Sequence, residues 1–360
     1  LSEEKIFMKT GLFTFPVHPT DKSYLKSLNE DIDAVVHADK LGFYDVFIGE
    51  HTTDEYERIT SSMVFIANLI NRTKKIKLAT GTLNLPNGHP VNFASSMAML
   101  DHLAKGRLIM GIGPGALISD MEAFGTLNNN RQEMFLECIN HILKIWRYKP
   151  PYNIKGKHWN ISTKKTYDKK LSIGTFTKPY QKPHPEIVCT SLSRNTNSII
   201  GLTSNGWNLL SSNFLRLEAL KIHAHGISKA KKVKNFKKNW RVARTIFVNN
   251  NKSIVENYVF GPSSPYRQLF KQILMKLKKY NRLEVFKKNP EDKHEKIDLD
   301  KVMRDIIVCG SVNQVAEKLS SLKEELKTFD TVTYTGIDFK NKKNALKSME
   351  LFAEKVISKV

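Results

Sequence analysis

Eight times along the chain, a short run rich in apolar, β-branched or aromatic residues is followed by a longer segment of helical period. The runs are Leu12–Phe15, Tyr44–Ile48, Ile76–Thr80, Leu108–Ile112, Glu186–Thr190, Trp207–Ser211, Val242–Val248 and Thr331–Thr335. The segments between them carry apolar residues every three or four positions, as in Leu28, Ile32, Val35, Val36 and Ala38 ahead of Gly42. A helix after each strand returns the chain to the end it left, which makes successive strands parallel. Strands that are apolar nearly throughout must be covered on both faces. Eight such units in order predict an α/β fold, a (β/α)8 TIM barrel, over an open sheet.

The expected helices are Leu25–Leu41, Ser61–Ile70, Phe93–Leu103, Arg131–Trp146, Asn195–Ser204, Leu215–Gly226, Val312–Leu326 and Lys343–Val356. Two stretches break the alternation. After strand four, residues 150–185 are rich in Pro, Lys, Tyr and Thr and read as an excursion with a short hairpin. After strand seven, residues 260–305 read as a second, irregular and basic excursion. The chain, 1–360, is read as a single barrel domain carrying these two insertions.

A net charge of +22 raises the question of a nucleic-acid partner. The excess is mostly Lys spread along the chain among many Asn, so no specific nucleic-acid partner is expected. Its densest stretches, 229–238 and 276–288, fall in the least periodic part of the sequence. A phosphorylated cofactor is compatible with the same charge. No run of about 18 apolar residues predicts a membrane span. Leu1–Lys5 is charged and lacks the apolar stretch of a secretory signal. Cys138, Cys189 and Cys309 are far apart, which favours a reducing, cytoplasmic setting over a disulfide framework.

In a parallel barrel the carboxyl ends of the strands carry the chemistry. Glu50 and His51 directly follow the second strand and are the candidate catalytic pair; the alternative is a capping Glu and a solvated loop His. Gly111–Ala116 superficially fits a dinucleotide-binding pattern, but Pro114 removes an N–H from the phosphate cradle and no helix clearly starts there. It reads instead as a loop, Gly113 included, that lets a flat ligand approach the backbone. Thr82 and Asn84, at the end of strand three, can hydrogen-bond a ring's polar edge. His89, before Pro90, reads as structural. Ser191 and Ser193 lead into a helix N-terminus, where an anion is favoured, and Arg131 is placed to reach the same anion. The sequence lacks a Gly-x-Ser-x-Gly elbow, a phosphate-loop Lys motif, His-Glu-x-x-His and Cys-x-x-Cys. His18, His51 and His89 all fall near strand ends, yet they share no metal-ligand spacing and no metal is expected.

Taken together, several segments resemble the bacterial-luciferase-like family of flavin-dependent monooxygenases. They are Ala38–Phe43, Gly49–His51, Asn71–Ile76, Leu85-Pro86 with His89-Pro90, Leu100–Arg107, Gly111–Ala116, Phe124-Gly125 and Pro179–Pro185. Tyr334–Asp338 and Ser348–Leu351 resemble the limonene monooxygenase-like branch. The resemblance implies a barrel, usually a homodimer, that takes reduced FMN from a separate NAD(P)H:flavin reductase and uses O2 to oxygenate a small, mostly apolar organic substrate. Members that use the deazaflavin F420 supply the alternative cofactor, and non-catalytic flavin-binding relatives a further reading. By position, the resemblance makes His51 the acid or base beside the flavin, with Glu50 orienting it or meeting the ring. It puts Thr82 and Asn84 at the isoalloxazine, and Arg131, Ser191 and Ser193 at the phosphate. Three residues depart from the pattern. Thr52 replaces a frequent second His, Gly113 occupies the place of luciferase's reactive Cys, and Arg194 stands where close relatives often have Pro.

Overall fold

The computed structural model describes residues 8–15, 17–231, 238–289, 291–327, 329–336 and 341–360. Eight strands form the barrel: β1 (Lys9–Thr14), β2 (Asp45–Ile48), β3 (Lys77–Thr80), β4 (Leu108–Gly113), β5 (Glu186–Ser191), β6 (Asn208–Ser211), β7 (Arg241–Val248) and β8 (Thr331–Gly336). Each pairs in parallel with its neighbours. β8 joins β1 through Leu12 and Tyr334, and β6 meets β7 through Leu210 and Arg241, so the eight strands close into a barrel. All eight expected strands are present.

Helices cover the outside: α1 (Tyr24–Lys40), α2 (Ser62–Leu69), α3 (Pro90–Leu103), α4 (Ile118–Ala123), α5 (Arg131–Arg147), α6 (Thr196–Ser204) and α7 (Leu217–Lys229), followed late in the chain by Val312–Leu326 and Lys342–Leu351. Their ends follow local chemistry. The Ser23 hydroxyl accepts the Lys26 N–H at the start of α1, and Gly42, at φ +80°, reverses the chain after it. α3 begins at Pro90, three residues earlier than expected, because proline suits a first helical turn and His89 Nδ1 caps it by accepting the Val91 N–H at 3.2 Å. α4 starts just beyond the glycine-rich loop, where no helix was expected.

The first excursion contains the expected hairpin, Asn153–Ile154 against Ile161–Ser162. The second is helical, contrary to the irregular reading. Helices Pro265–Lys279 and Leu299–Ile306 bury Tyr266, Leu269, Phe270, Val302, Met303 and Ile306 in a core of their own, and the Lys residues between the apolar positions hid that period. A short strand, Val308–Gly310, then adds to β7 and had no counterpart in the expected elements. Part of the basic stretch 229–238, Leu1–Lys5, and the residues Ile337 and Asp338 of the family-like segment lie outside the described residues.

Inside the barrel, Phe13, Phe47, Ala79, Ile109, Val188, Leu210 and Ala243 form one apolar layer. Beneath it, at the amino ends of the strands, Arg241 bonds Asp45 and Glu186 at 2.8 Å each, with Arg241 and Asp45 wholly buried. Charges this deep persist only when paired. This ionic plug closes the lower end and leaves the carboxyl ends of the strands as the open face.

Candidate active site

His51 is delivered by the turn after β2 and lies between two carboxylates. Its Nδ1 is 3.0 Å from Asp120 Oδ2, and its Nε2 is 3.4 Å from Glu57 Oε2. Asp120, in α4, gathers the whole turn: it also accepts the Thr53 N–H at 2.8 Å, the Thr53 hydroxyl at 2.6 Å and the Thr52 N–H at 3.4 Å. Burial alone would push the imidazole down, but Glu57, Asp120 and Asp54 outweigh it and raise His51 to about 9. The ring is therefore an imidazolium at neutral pH. Burial also raises Glu57, while hydrogen bonds from His51 and Thr53 keep Asp120 low despite its own burial. Asp54 is in turn ion-paired with Lys276 from the second insertion. Asp54, Glu57, Asp120 and Lys276 were not singled out from the sequence. Glu57 lies six residues beyond His51, a local signal, whereas Asp120 and Lys276 had none.

Glu50 lines the same cavity with a different partner. Its Oε2 accepts the Ser62 N–H at 2.8 Å and the Ser62 hydroxyl at 2.6 Å, which caps the first turn of α2. Burial raises its carboxyl. Thr82 donates to Asn84 Oδ1 at 3.1 Å and packs against Gly113, where a Cβ would lie 2.9 Å from the Thr82 hydroxyl. Glycine at 113 is thus required for Thr82 to occupy this position. Arg131 donates to the Pro114 carbonyl at 3.0 Å, to Asn87 Oδ1 at 2.9 Å and to the Thr126 hydroxyl. It ties the glycine-rich loop to its neighbours.

The turn after β5 is built from successive Ser and Asn caps. Ser191 Oγ accepts the Ser193 N–H at 3.0 Å, Ser193 Oγ accepts the Asn195 N–H at 3.1 Å, and Asn195 Oδ1 accepts the Ser198 N–H at 3.2 Å to start α6. The Arg194 guanidinium donates to the carbonyls of Glu284, Lys287 and Lys288, at 3.2, 2.6 and 2.6 Å, and so clasps the second insertion.

Glu50, His51, Thr82, Asn84, Gly113, Ser191 and Ser193 all line one cavity of about 820 Å³, within the usual range for cofactor sites; Arg131 stands behind it. Phe13, Phe15, Phe214 and Val285 form an apolar wall, with Phe15 and Phe214 edge to face at 5.4 Å. Around the Ser191–Ser193 turn, Thr190 Oγ1 and Arg194 Nε are buried polar atoms without a hydrogen-bond partner among the described residues, and Arg282 also faces the cavity. Donors left unmatched at a helix N-terminus fit a bound phosphate. The histidines near strand ends are separately engaged, His18 with Asp31 at 3.1 Å and His89 as the α3 cap. Among the described residues no group of three or more His, Cys, Asp or Glu is arranged to hold a metal ion.

The chain matches known proteins over nearly its whole length. A family model described as luciferase-like monooxygenase matches residues 8–327. The chain is 38% identical to limonene 1,2-monooxygenase of Rhodococcus erythropolis over 115 residues, 32% of this chain and 30% of that relative. It is 24% identical to 3,6-diketocamphane 1,6-monooxygenase of Pseudomonas putida over 98% of each chain. The solved FMN complex of the oxygenating constituent of 3,6-diketocamphane monooxygenase superposes with a TM-score of 0.83, again at 24% identity and 98% coverage of each. An F420-dependent secondary alcohol dehydrogenase superposes with a TM-score of 0.70 at 15% identity, covering 98% of this chain and 99% of that one.

Proposed function

Because the chain belongs to the luciferase-like monooxygenase family, we propose that it is the oxygenase of a two-component system. It takes reduced FMN from a separate NAD(P)H:flavin reductase and uses O2 to oxygenate a small, mostly apolar organic molecule. The observation that carries this reading is a single cavity with an imidazolium on one side, unmatched donors at one end and an aromatic wall. When bound, FMN supplies the electrons that activate O2. Thr82, Asn84 and Gly113 flank its ring, and Ser191 and Ser193 hold its phosphate, with Arg194 and Arg282 beside them. Arg131 contributes by fixing the glycine-rich loop.

His51 carries its proton at neutral pH, so it serves as a fixed positive charge and as an acid, and not as a base. Its two carboxylate partners hold the ring in one orientation. Glu50 secures the turn through α2. Phe13, Phe15, Phe214 and Val285 exclude water and select an apolar substrate. The names of the limonene and diketocamphane relatives point to terpenoid-sized alkenes and ketones. A second copy of the chain is expected to cover the exposed Val64, Met99 and Leu103 of α2 and α3. The free, buried cysteines suit a reducing compartment such as the cytoplasm.

The second reading, F420-dependent hydride transfer, rests on the shared fold of the F420-dependent alcohol dehydrogenase. The test is turnover of a panel of small cyclic ketones and terpenes under 18O2, with FMN, NADH and a flavin reductase supplied. Product carrying one 18O is expected. Reduction or oxidation supported by F420 alone, with no 18O incorporated, would favour the second reading.

A further inference from the structure

The turn that carries Ser191 and Ser193 is anchored from beneath by a buried chain of hydrogen bonds. His223, in α7, has no solvent exposure. Its Nε2 lies 2.6 Å from the Ser193 carbonyl oxygen, and its Nδ1 lies 2.7 Å from Ser211 Oγ. Trp240 Nε1 is 2.8 Å from the same Oγ.

The polarity of this chain is fixed by its two ends. A carbonyl only accepts, so Nε2 holds the proton and donates it to Ser193. Nδ1 then accepts from the Ser211 hydroxyl, whose oxygen accepts in turn from the indole N–H, a group that only donates. Burial pushes His223 down to about 4, so the neutral ring and this tautomer persist at physiological pH.

The consequence reaches the cavity through one planar peptide. The Ser193 carbonyl and the Arg194 N–H project from opposite sides of the same unit. With the carbonyl pinned toward His223, the N–H turns the other way. That N–H has no hydrogen-bond partner among the described residues, and Arg194 lines the cavity. The Ser191 and Ser193 hydroxyl oxygens accept backbone N–H groups, which leaves their protons free to donate.

We propose that His223 is a positioning residue for the cofactor's phosphate. By anchoring the Ser193 carbonyl it aims the Arg194 N–H and the two serine hydroxyls at one point. This rests on the reading of the cofactor as FMN held by its phosphate at this turn.

The test compares anaerobic titrations with reduced FMN and reduced riboflavin, which share the ring and differ in the phosphate. The wild type is expected to bind FMN more tightly. His223→Leu should weaken FMN about tenfold, the scale of one hydrogen bond to a charged group, and leave riboflavin within about twofold. His223→Gln, which can both donate to Ser193 and accept from Ser211, should restore the FMN preference. Ser211→Ala removes the hydroxyl that holds Nδ1 and so loosens the ring's hold on the Ser193 carbonyl; it should lower the preference in the same direction, and it carries the test if His223→Leu does not fold. Folded variants at both positions that keep the wild-type preference would overturn the proposal alone. A wild type that binds the two flavins equally would overturn the phosphate reading and the proposal with it.

Discussion

His51 and Asp120 meet at 3.0 Å although 69 residues separate them in the chain. The contact joins the turn after β2 to α4, and it fixes the charge of the histidine as well as its position. With Glu57 on the other ring nitrogen, His51 has no neutral tautomer that suits both partners. A site that seemed from its residue type to hold an acid or base is, at neutral pH, a cation held between carboxylates.

Replacing Asp120 by Asn keeps the shape and removes one of those charges. The His51 ring should then titrate well below about 9, toward its ordinary value of 6.5. An NMR titration of the ring in Asp120→Asn and wild type reads this directly. An unchanged midpoint would show that Asp120 does not set the charge of His51. Turnover at pH 8 should fall as the charged fraction of the ring drops, by up to the roughly hundredfold or more that a positioned acid contributes.

The same raised value makes a prediction about stability. A histidine whose folded pKa lies above its unfolded one stabilises the fold fully below the unfolded value, and that contribution is lost as pH rises through the folded one. For His51 the window runs from about 6.5 to about 9. The stability gap between wild type and His51→Gln, on the order of 2 kcal/mol at pH 6, should narrow toward pH 9.5. Urea melts of both proteins across that range check it, and a gap that widens with pH would contradict it.

At the closed end of the barrel, Arg241→Met leaves Asp45 and Glu186 without their cation. Removing one partner of a buried ion pair costs about 3–5 kcal/mol. The urea midpoint should drop accordingly, while the folded fraction should still bind flavin, because the apolar layer lies between Arg241 and the cavity. Loss of flavin binding by fully folded protein would mean that the plug and the site are coupled.

Arg194 clasps three carbonyls of the second insertion. Arg194→Ala should release that segment, so limited proteolysis followed by mass spectrometry should find faster cleavage within 260–305 than in wild type. Unchanged cleavage would show that the insertion is held by its apolar core alone.

The barrel was legible because its strands are buried on both faces and its helices carry a clean period. Many of the family-like segments turn out to hold the fold. Asp39 accepts the N–H groups of Lys74, Lys75 and Ile76 at 2.7, 2.8 and 2.7 Å, and Arg107 donates to the carbonyls of Ile70 and Ile76. Asp101 binds Gln181 through both its backbone N–H and its side chain. These contacts explain why short motifs mark the fold. Glu50 and Arg131 are charged residues beside the site, yet Glu50 bonds Ser62 at the start of α2 and Arg131 bonds the glycine-rich loop. Asp120 and Lys276 escaped notice because only the folded chain brings them to His51 and Asp54. The second insertion was misread because lysines interrupt its apolar helix faces.

This cavity is expected to take reduced FMN. An anaerobic titration of the purified protein with reduced FMN and, separately, with reduced F420 tests it most directly. Saturable binding of FMN is expected, weakened when the phosphate is absent, with no comparable affinity for F420. Tight binding of F420 together with no measurable binding of reduced FMN would contradict it.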